Sequence, residues 1–574
     1  MSMEYKVVDF EKKKVEIRFG QLAQDLVDFV NLPEFNGTAA NGLHKFMSEV
    51  MEEPWVDLDD DQDSLENEFV EWLILDYQDE ITGVSVVRAY LDSADEWELE
   101  DWEARSLEQW ARSVLAVYEV QEILSDDRVV LRDVVTGNTY SVIAPGIGLG
   151  VLRWSAMLAR LLVVDDLYTL GSSTLVIPRP LLRYVLKIMG HVYRTLRFQG
   201  YDGDWESFLK VSTLSLRKLV RVMLMAWGVQ ESEDAVALYC DGLSGSSSGE
   251  FAGVRGACSP SEASASGARK LYRSVVRVSD AKGALDAVTR SGTGIALSSS
   301  WVDEAGAVCA ELAWVREPHE SDPSGVAPYG ADDVAFVLLA DGAFTVYADN
   351  RSALGRCASI IRRSVAQYVI PRQPGKKASS RKPPSTQERA RAHARIDQIA
   401  REAIAEHYRS WADSPLPVLQ GESPRDAVAS GIGQKIVEEL LKDIEYHENL
   451  KRRAGLPWVD VDGLWHHVLS AQGCDNGLSA KEHSVVGLLD EMMRLDGYTE
   501  DQIFATQKIW CDYALSENPN VVHANTWAAA VEYAAAIAQD EPVTQASVAR
   551  KYQVSVSTLS QRYRQILDSI NANG

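Results

Sequence analysis

The chain has 574 residues, with 84 acidic against 57 basic side chains and a formal net charge of −27. Its length exceeds what a single hydrophobic core organises, so roughly three to five domains are expected, and a composition of 46% hydrophobic and 25% charged residues excludes wholesale disorder. No apolar run reaches the roughly 18 residues needed to span a bilayer, and the N-terminus lacks the apolar core of a signal peptide; a cytoplasmic protein with no membrane partner is expected.

Six cysteines stand at 240, 258, 309, 357, 474 and 511, with no CxxC pair and no histidine at a ligand-like spacing. Reduced thiols that help to fill cores are expected, not a zinc ribbon or a disulfide framework. The charge is unevenly spread: residues 51–100 carry 18 acidic side chains and a single base, Arg88. Such a segment repels a phosphate backbone, so any contact with nucleic acid is expected elsewhere.

Residues 1–112 read as an acidic helical domain. In NEFVEWLILDYQDE, Phe69, Trp72, Leu73 and Leu75 fall close to an i, i+3, i+4 stripe. That spacing predicts an amphipathic helix with its acids facing water, either as a solvated face or as a surface for a protein partner. A second helix is expected over 98–117. From 113 to 180 the period changes: YEVQEIL, RVVLRDV and TYSVIA are short runs rich in Val, Ile and Tyr, and Thr136-Gly137-Asn138 supplies a turn between the last two. With LYTL and STLVIP they predict a small β-barrel. Helices near 180–198 and 205–227 fill a helical segment over 181–241.

Residues 242–268 are mostly Gly, Ser and Ala and read as a linker. LYRSVVRVSD, GTGIALSS, AVCAELAWV, DVAFVLLAD and AFTVYAD read as strands. Interleaved with helices near 280–290 and 351–366, they predict an α+β domain with an antiparallel sheet over 269–370. Residues 371–390, PRQPGKKASSRKPPSTQERA, form a basic, Pro-rich linker, a composition shared with nucleic-acid arms. A helical region over 391–480 and a last domain over 481–574 complete the chain. The fold class expected is therefore multi-domain α+β: an acidic helical N-domain, a small β-barrel, an α+β sheet domain, and an all-helical C-terminal region ending in a helix-turn-helix.

The closing segment, PVTQASVARKYQVSVSTLSQRYRQILDSINANG, carries the clearest pattern. Thr544 suits the N-cap of a helix running to about Tyr552, with Val548 and Tyr552 facing inward. Val554 plugs a short turn, and Ser555 caps a second helix with an inner stripe of Leu559, Tyr563 and Ile566. Helix, tight turn and helix is the DNA-binding pattern in which the second helix approaches base edges in the major groove. The outward residues Ser557, Thr558, Gln561, Arg562 and Arg564 are candidates for that contact, and Arg550 and Lys551 for backbone phosphates. From Pro542 onward four bases face one acid, Asp568, a local reversal of sign in a strongly acidic chain.

VTQASVARKYQVSVSTLSQRYRQIL is similar to the closing helices of the cyclin-like repeats of general initiation factor IIB, and QIFATQKIWCDYALSENPNVVHANTWAAAVEYAAAIAQ to the earlier helices of such a repeat. The resemblance covers roughly residues 498–570, and the family's zinc ribbon is absent. It implies a compact helical repeat in which the alanines at 528–530 and 534–536 allow close packing. The same stretch also resembles Pipsqueak-type and homeodomain-like bacterial regulators. Upstream, LPVLQGESPRDA resembles the capped turn of toxin-binding antitoxins of the ParS/MbcA kind, with Gly421 at an unusual backbone angle, Ser423 as cap and Pro424 at the first helical position. The whole chain resembles long bacterial proteins that join an acidic helical start, a small barrel, an α+β domain and this tail, a resemblance that implies no particular activity.

Other motifs fail on their context. Asp57, Asp59, Asp61, Asp63 and Glu68 have the spacing of a calcium loop, but Gln62 stands where glycine is required. Gly245-Ser246-Ser247-Ser248-Gly249 has the letters of a nucleophile elbow but lies in the Ser/Gly linker. Gly146, Gly148 and Gly150 do not complete a dinucleotide fingerprint, and the adjacent His466 and His467 point to different helix faces. No catalytic residue, metal or cofactor is assigned. The expected function is that of a bacterial regulatory protein binding double-stranded DNA through residues 542–570 and a protein partner through its acidic half. Two alternatives stay open: a protein-interaction scaffold or antitoxin-like protein, and an enzyme whose site the sequence does not display.

Overall fold

The computed structural model describes residues 2–51, 62–79, 82–93, 99–230, 271–291, 294–303, 305–315, 334–370, 385–470 and 478–573. The chain divides into two compact units, one formed by residues 1–263 with 475–574, the other by 264–474. The last helices thus share a unit with the N-terminal half, although the whole second unit separates them in sequence.

The first unit opens with helices α1 (Ser2–Val30), α2 (Asn36–Met51), α3 (Gln62–Leu75), α4 (Val86–Asp92) and α5 (Asp101–Arg112). The helix expected over 98–117 stops at Arg112, because Leu115 to Tyr118 already run in the first strand of a barrel. The barrel comprises β1 (Leu115–Ser125), β2 (Arg128–Asp133), β3 (Thr139–Ile143), a short helix α6 (Ile147–Gly150), β4 (Ala156–Val164), β5 (Leu167–Leu170) and β6 (Leu175–Ile177). Strands pair in the order β1-β2-β3-β5-β4, and β4 returns to β1 to close a five-stranded ring. The pair β3–β5 is parallel; β6 adds to the start of β4. Asp165 and Asp166, both left-handed with φ of 50° and 66°, make the two-residue turn between β4 and β5 that suits the twist of a hairpin.

Three helices follow: α7 (Arg179–Phe198), α8 (Trp205–Val211) and α9 (Thr213–Gln230). The single helix expected over 205–227 is two, parted at Ser212. Val185, Met189 and Tyr193 of α7 and Phe208 and Leu209 of α8 join the core formed by Val120, Leu131 and Leu158 of the barrel.

The expectation that the acids of α3 face water holds for Glu66 but is overturned for Glu68 and Glu71. Glu68 and Glu71 are buried, and so is the Asp76 carboxylate just beyond the helix. Arg160 of β4 lies 3.3 Å from Glu71 and is also paired with Asp76; Lys210 of α8 lies 3.1 Å from Asp76, and Arg217 of α9 lies 3.2 Å from Glu68. Trp72, Leu73, Ile74 and Leu75 are all buried, so α3 is surrounded and has no water-facing side in this stretch. The physical reason is long-range: cations supplied some 90 to 150 residues later let the carboxylates enter the interior as ion pairs.

The second unit holds a five-stranded antiparallel sheet, β7 (Tyr272–Arg277), β8 (Ile295–Val302), β9 (Val308–Val315), β10 (Val334–Ala340) and β11 (Ala343–Ala348), in the order β7-β11-β10-β9-β8. Helices α10 (Ala281–Arg290) and α11 (Arg351–Ser364) cover one face through Ala284, Leu285, Cys357 and Ile361. The other face is covered by α12 (Thr386–Trp411), whose Ala392, Ile396 and Ile399 pack on Phe336 and Tyr347. Helix α12 therefore crosses the boundary expected at 390 and belongs to the sheet's own core. Beyond it come α13 (Pro424–Ala429), α14 (Gln434–Arg453) and α15 (Asp462–Leu469). Ser423 caps α13 by accepting from the Asp426 amide, Pro424 opens it, and Gly421 has φ of +87°. His466 and His467 are exposed on α15.

Five helices end the first unit: α16 (Ala480–Leu495), α17 (Glu500–Glu517), α18 (Ala524–Ala538), α19 (Gln545–Lys551) and α20 (Val556–Asn573). Trp527 to Val531 of α18 are all buried, and small alanines let its neighbours approach closely.

Among the described residues no helix is long and apolar enough to cross a membrane. The Ser/Gly letters at 245–249 and three of the calcium-loop acids, Asp57, Asp59 and Asp61, lie outside the described residues, as do Cys240, Cys258 and Cys474. Cys309, Cys357 and Cys511 are buried free thiols.

Candidate nucleic-acid interface

The geometry of the last two helices follows from their caps. The Thr544 hydroxyl accepts from the Ser547 amide and starts α19; Gln553, left-handed at φ 54°, ends the turn after it. The Ser555 hydroxyl accepts from the Thr558 amide at 3.1 Å and starts α20. Val548, Tyr552, Leu559 and Ile566 are buried, Val554 is half-buried, and Tyr563 meets the edge of Tyr533 with ring centroids 5.0 Å apart. This inner stripe orients the rest of α20 outward.

Of the candidate contact residues, the structure brings Ser557, Gln561 and Arg564 onto one exposed stripe, at i, i+4 and i+7. Thr558 beside them is half-buried, and Arg550 is exposed near the end of α19. Two candidates are placed differently. Lys551, expected beside phosphates, points into the protein: its ammonium lies 2.7 Å from Asp496 and 2.8 Å from Glu532. Burial alone would lower its pKa, but Glu532 and Asp496 outweigh that and hold it above the usual lysine value. The Arg562 guanidinium carbon lies over the Trp527 ring, 4.3 Å from its centroid, and the group donates to Gln565 at 2.9 Å. Both positions are governed by residues on other helices, which the local pattern does not contain.

A cluster that no sequence signal marks ties this module to α7. Glu541, in the segment between α18 and α19, is buried and accepts from Arg194 Nε at 3.0 Å and from Gln502 at 2.9 Å; His191 Nδ1 lies 3.0 Å away. Arg194 also donates to the Asp496 carbonyl at 3.1 Å and lies 3.9 Å above the Tyr498 ring. Burial pushes the Glu541 carboxyl up, but Arg194, with help from His191 and Gln502, holds it below the ordinary glutamate value. Asp496 thus joins two cations: its carbonyl takes Arg194 and its carboxylate takes Lys551. The partners Arg194 and Glu541 lie 347 residues apart, too far for any periodic or spacing argument.

Among the described residues no group of three or more His, Cys, Asp or Glu side chains is placed to hold a metal. Comparison with known protein families, curated proteins and solved structures finds no match for this chain.

Proposed function

We propose that this protein is a DNA-binding regulator that reads duplex DNA with the first turns of α20. The observation that carries the reading is the exposed stripe of Ser557, Gln561 and Arg564 opposite a buried Leu559–Ile566 stripe, on a helix entered through a capped, tight turn. Gln and Arg make bidentate contacts with adenine and guanine edges, and Arg550 stands where a phosphate would pass. Lys551 and Arg562 serve this reading as positioning residues, one locking α19 to Glu532 and the other seating α20 on Trp527.

The barrel's strand order, with the parallel β3–β5 pair and a helix between β3 and β4, is that of OB-type barrels, which take oligonucleotides or oligosaccharides at the β1–β2 and β4–β5 loops. Here both loops are acidic and α1 lies against them: Lys12 is 2.9 Å from Asp127, and Lys14 and Arg18 pair with Asp165. Helix α1 therefore stands, through these ion pairs, where such a barrel takes its ligand.

The test is duplex binding by the full chain at two salt concentrations, because the module is packed on α7. Gln561→Ala with Arg564→Ala is expected to abolish sequence preference, and Arg550→Ala to reduce the log–log salt slope by about 0.9. Unchanged sequence preference in the double variant would overturn the reading. The exposed Val556, Leu567 and Ile570 of α20 favour a second reading, a protein-docking helix, for which binding would be insensitive to salt.

A further inference from the structure

Helix α11, in the second unit, carries Arg351, Arg356, Arg362 and Arg363 and no carboxylate in its 14 residues, within a chain of net charge −27. Its inner side, Ala353, Cys357, Ala358 and Ile361, is buried against the sheet. Arg351, Arg362 and Arg363 are therefore carried outward and are exposed; Arg356 is half-buried. Between them stand only small exposed residues, Ser352, Gly355 and Ser359, and a side chain added at Gly355 would meet nothing within 4 Å. The surface is thus open to close approach.

These arginines have no partner of opposite sign among the described residues. On the other face of the same sheet, Arg391 and Arg395 of α12 lie 2.8 and 2.9 Å from Glu311, and Arg273 of β7 lies 3.5 Å from Glu388. Among the described residues none of the four arginines of α11 has a carboxylate within 4 Å. Arg362 donates to the Ser274 hydroxyl at 3.2 Å, Arg351 lies 5.6 Å from the Tyr272 ring centroid, and Arg356 Nε is buried with no hydrogen-bond partner. Helix α10 alongside adds the exposed Lys282. Among the described residues no carboxylate pairs with these four like charges, although α10 alongside also carries the exposed Asp286.

We propose that the outer face of α11 is a second nucleic-acid contact that grips the phosphate backbone without reading bases. Guanidinium groups bind phosphate oxygens bidentately, and arginine, not lysine, is the residue present four times. From Arg351 to Arg362 the helix runs about 16 Å at 1.5 Å per residue, the axial length of roughly five phosphates on one strand. The proposal stands independently of α20, since it rests on a different unit.

The experiment measures binding of a random-sequence 20-base-pair duplex by the full chain across a salt series, in the Gln561→Ala/Arg564→Ala background so that α20 plays no part. Replacing all four arginines by glutamine is expected to flatten the log–log salt slope by about 3.6, so that a fourfold drop in salt strengthens binding by the variant roughly 150-fold less than binding by the parent. A second variant, Arg351→Gln/Arg362→Gln/Arg363→Gln, spares the half-buried Arg356 and is expected to flatten the slope by about 2.7. Replacing the same three by lysine is expected to keep the slope. An unchanged slope in the glutamine variants overturns the proposal. So does loss of binding to phosphatidylserine vesicles with duplex binding intact, which would make this face a membrane contact.

Discussion

Gly190 of α7 and Gly497, in the turn between α16 and α17, meet backbone to backbone: a methyl on residue 190 would stand 1.9 Å from the Gly497 carbonyl oxygen. Gly497 is itself left-handed at φ +70°, and a side chain there would strike Trp205. The C-terminal module is therefore seated on α7 at a point where neither chain tolerates a Cβ. Gly190→Ala is expected to destabilise the first unit by about 1–3 kcal/mol, through forced displacement of the packed backbone. Gly355→Ala on α11, with open space around it, is expected to be neutral or to stabilise by up to about 1 kcal/mol. Urea midpoints of the two variants check the contrast.

Lys551 and Arg564 are both basic residues of the closing helices, and they should fail in opposite ways. Lys551→Met leaves the buried Glu532 and the Asp496 carboxylate without their shared cation, and a loss of about 3–5 kcal/mol in stability is expected. Arg564→Ala, on the exposed face, is expected to change stability by less than about 0.5 kcal/mol while weakening duplex binding. Equal effects on stability would remove the distinction drawn between them.

The buried carboxylates make stability depend on acid. Burial pushes Glu71 up, but Arg217, Arg160 and the hydrogen bonds from Ser172 and Ser173 outweigh it and hold its carboxyl below the usual range. A depressed folded pKa means that its stabilisation is fully present above the ordinary value of 4.5 and is lost as pH falls through the folded value. Glu541 follows the same sign. The urea midpoint is expected to fall steadily below about pH 4.5, and Glu71→Gln to shallow that fall while costing about 3–5 kcal/mol at neutral pH. A midpoint independent of pH between 3 and 6 would contradict the pairing.

The buried thiols should be inert. Burial pushes the Cys357 thiol up to about 12 and raises Cys309 as well. At pH 8 neither is expected to react with iodoacetamide in the folded chain within hours, and both should be labelled at once in urea. Mass spectrometry of the labelled peptides decides the matter.

Local chemistry was readable wherever one segment contains its own cause. Thr544 and Ser555 cap because a hydroxyl reaches an amide three residues on, and the stripe of Leu559 and Ile566 is a helical period. The runs RVVLRDV and TYSVIA became strands, and the period of α11 and its preceding strand was likewise visible. Glu68 and Glu71 of α3 were misread because amphipathicity assumes that a charge faces water. That assumption fails once Arg160 and Arg217 arrive from elsewhere in the chain.

By itself the sequence determined the period of the strands RVVLRDV and TYSVIA, the caps at Ser423, Thr544 and Ser555, and the polar stripe of α20, all of which depend on residues within about ten positions of one another. Only the tertiary structure decided that Glu68 and Glu71 of α3 are buried, that Lys551 and Arg562 are spent on Glu532 and Trp527, that α7 holds the last helices through Arg194 and Glu541, and that the arginines of α11 stand without acidic partners among the described residues. Charge pairing is a relation between positions brought together by folding. A side chain's role is therefore set by what lies within a few ångströms of it, which no local pattern records.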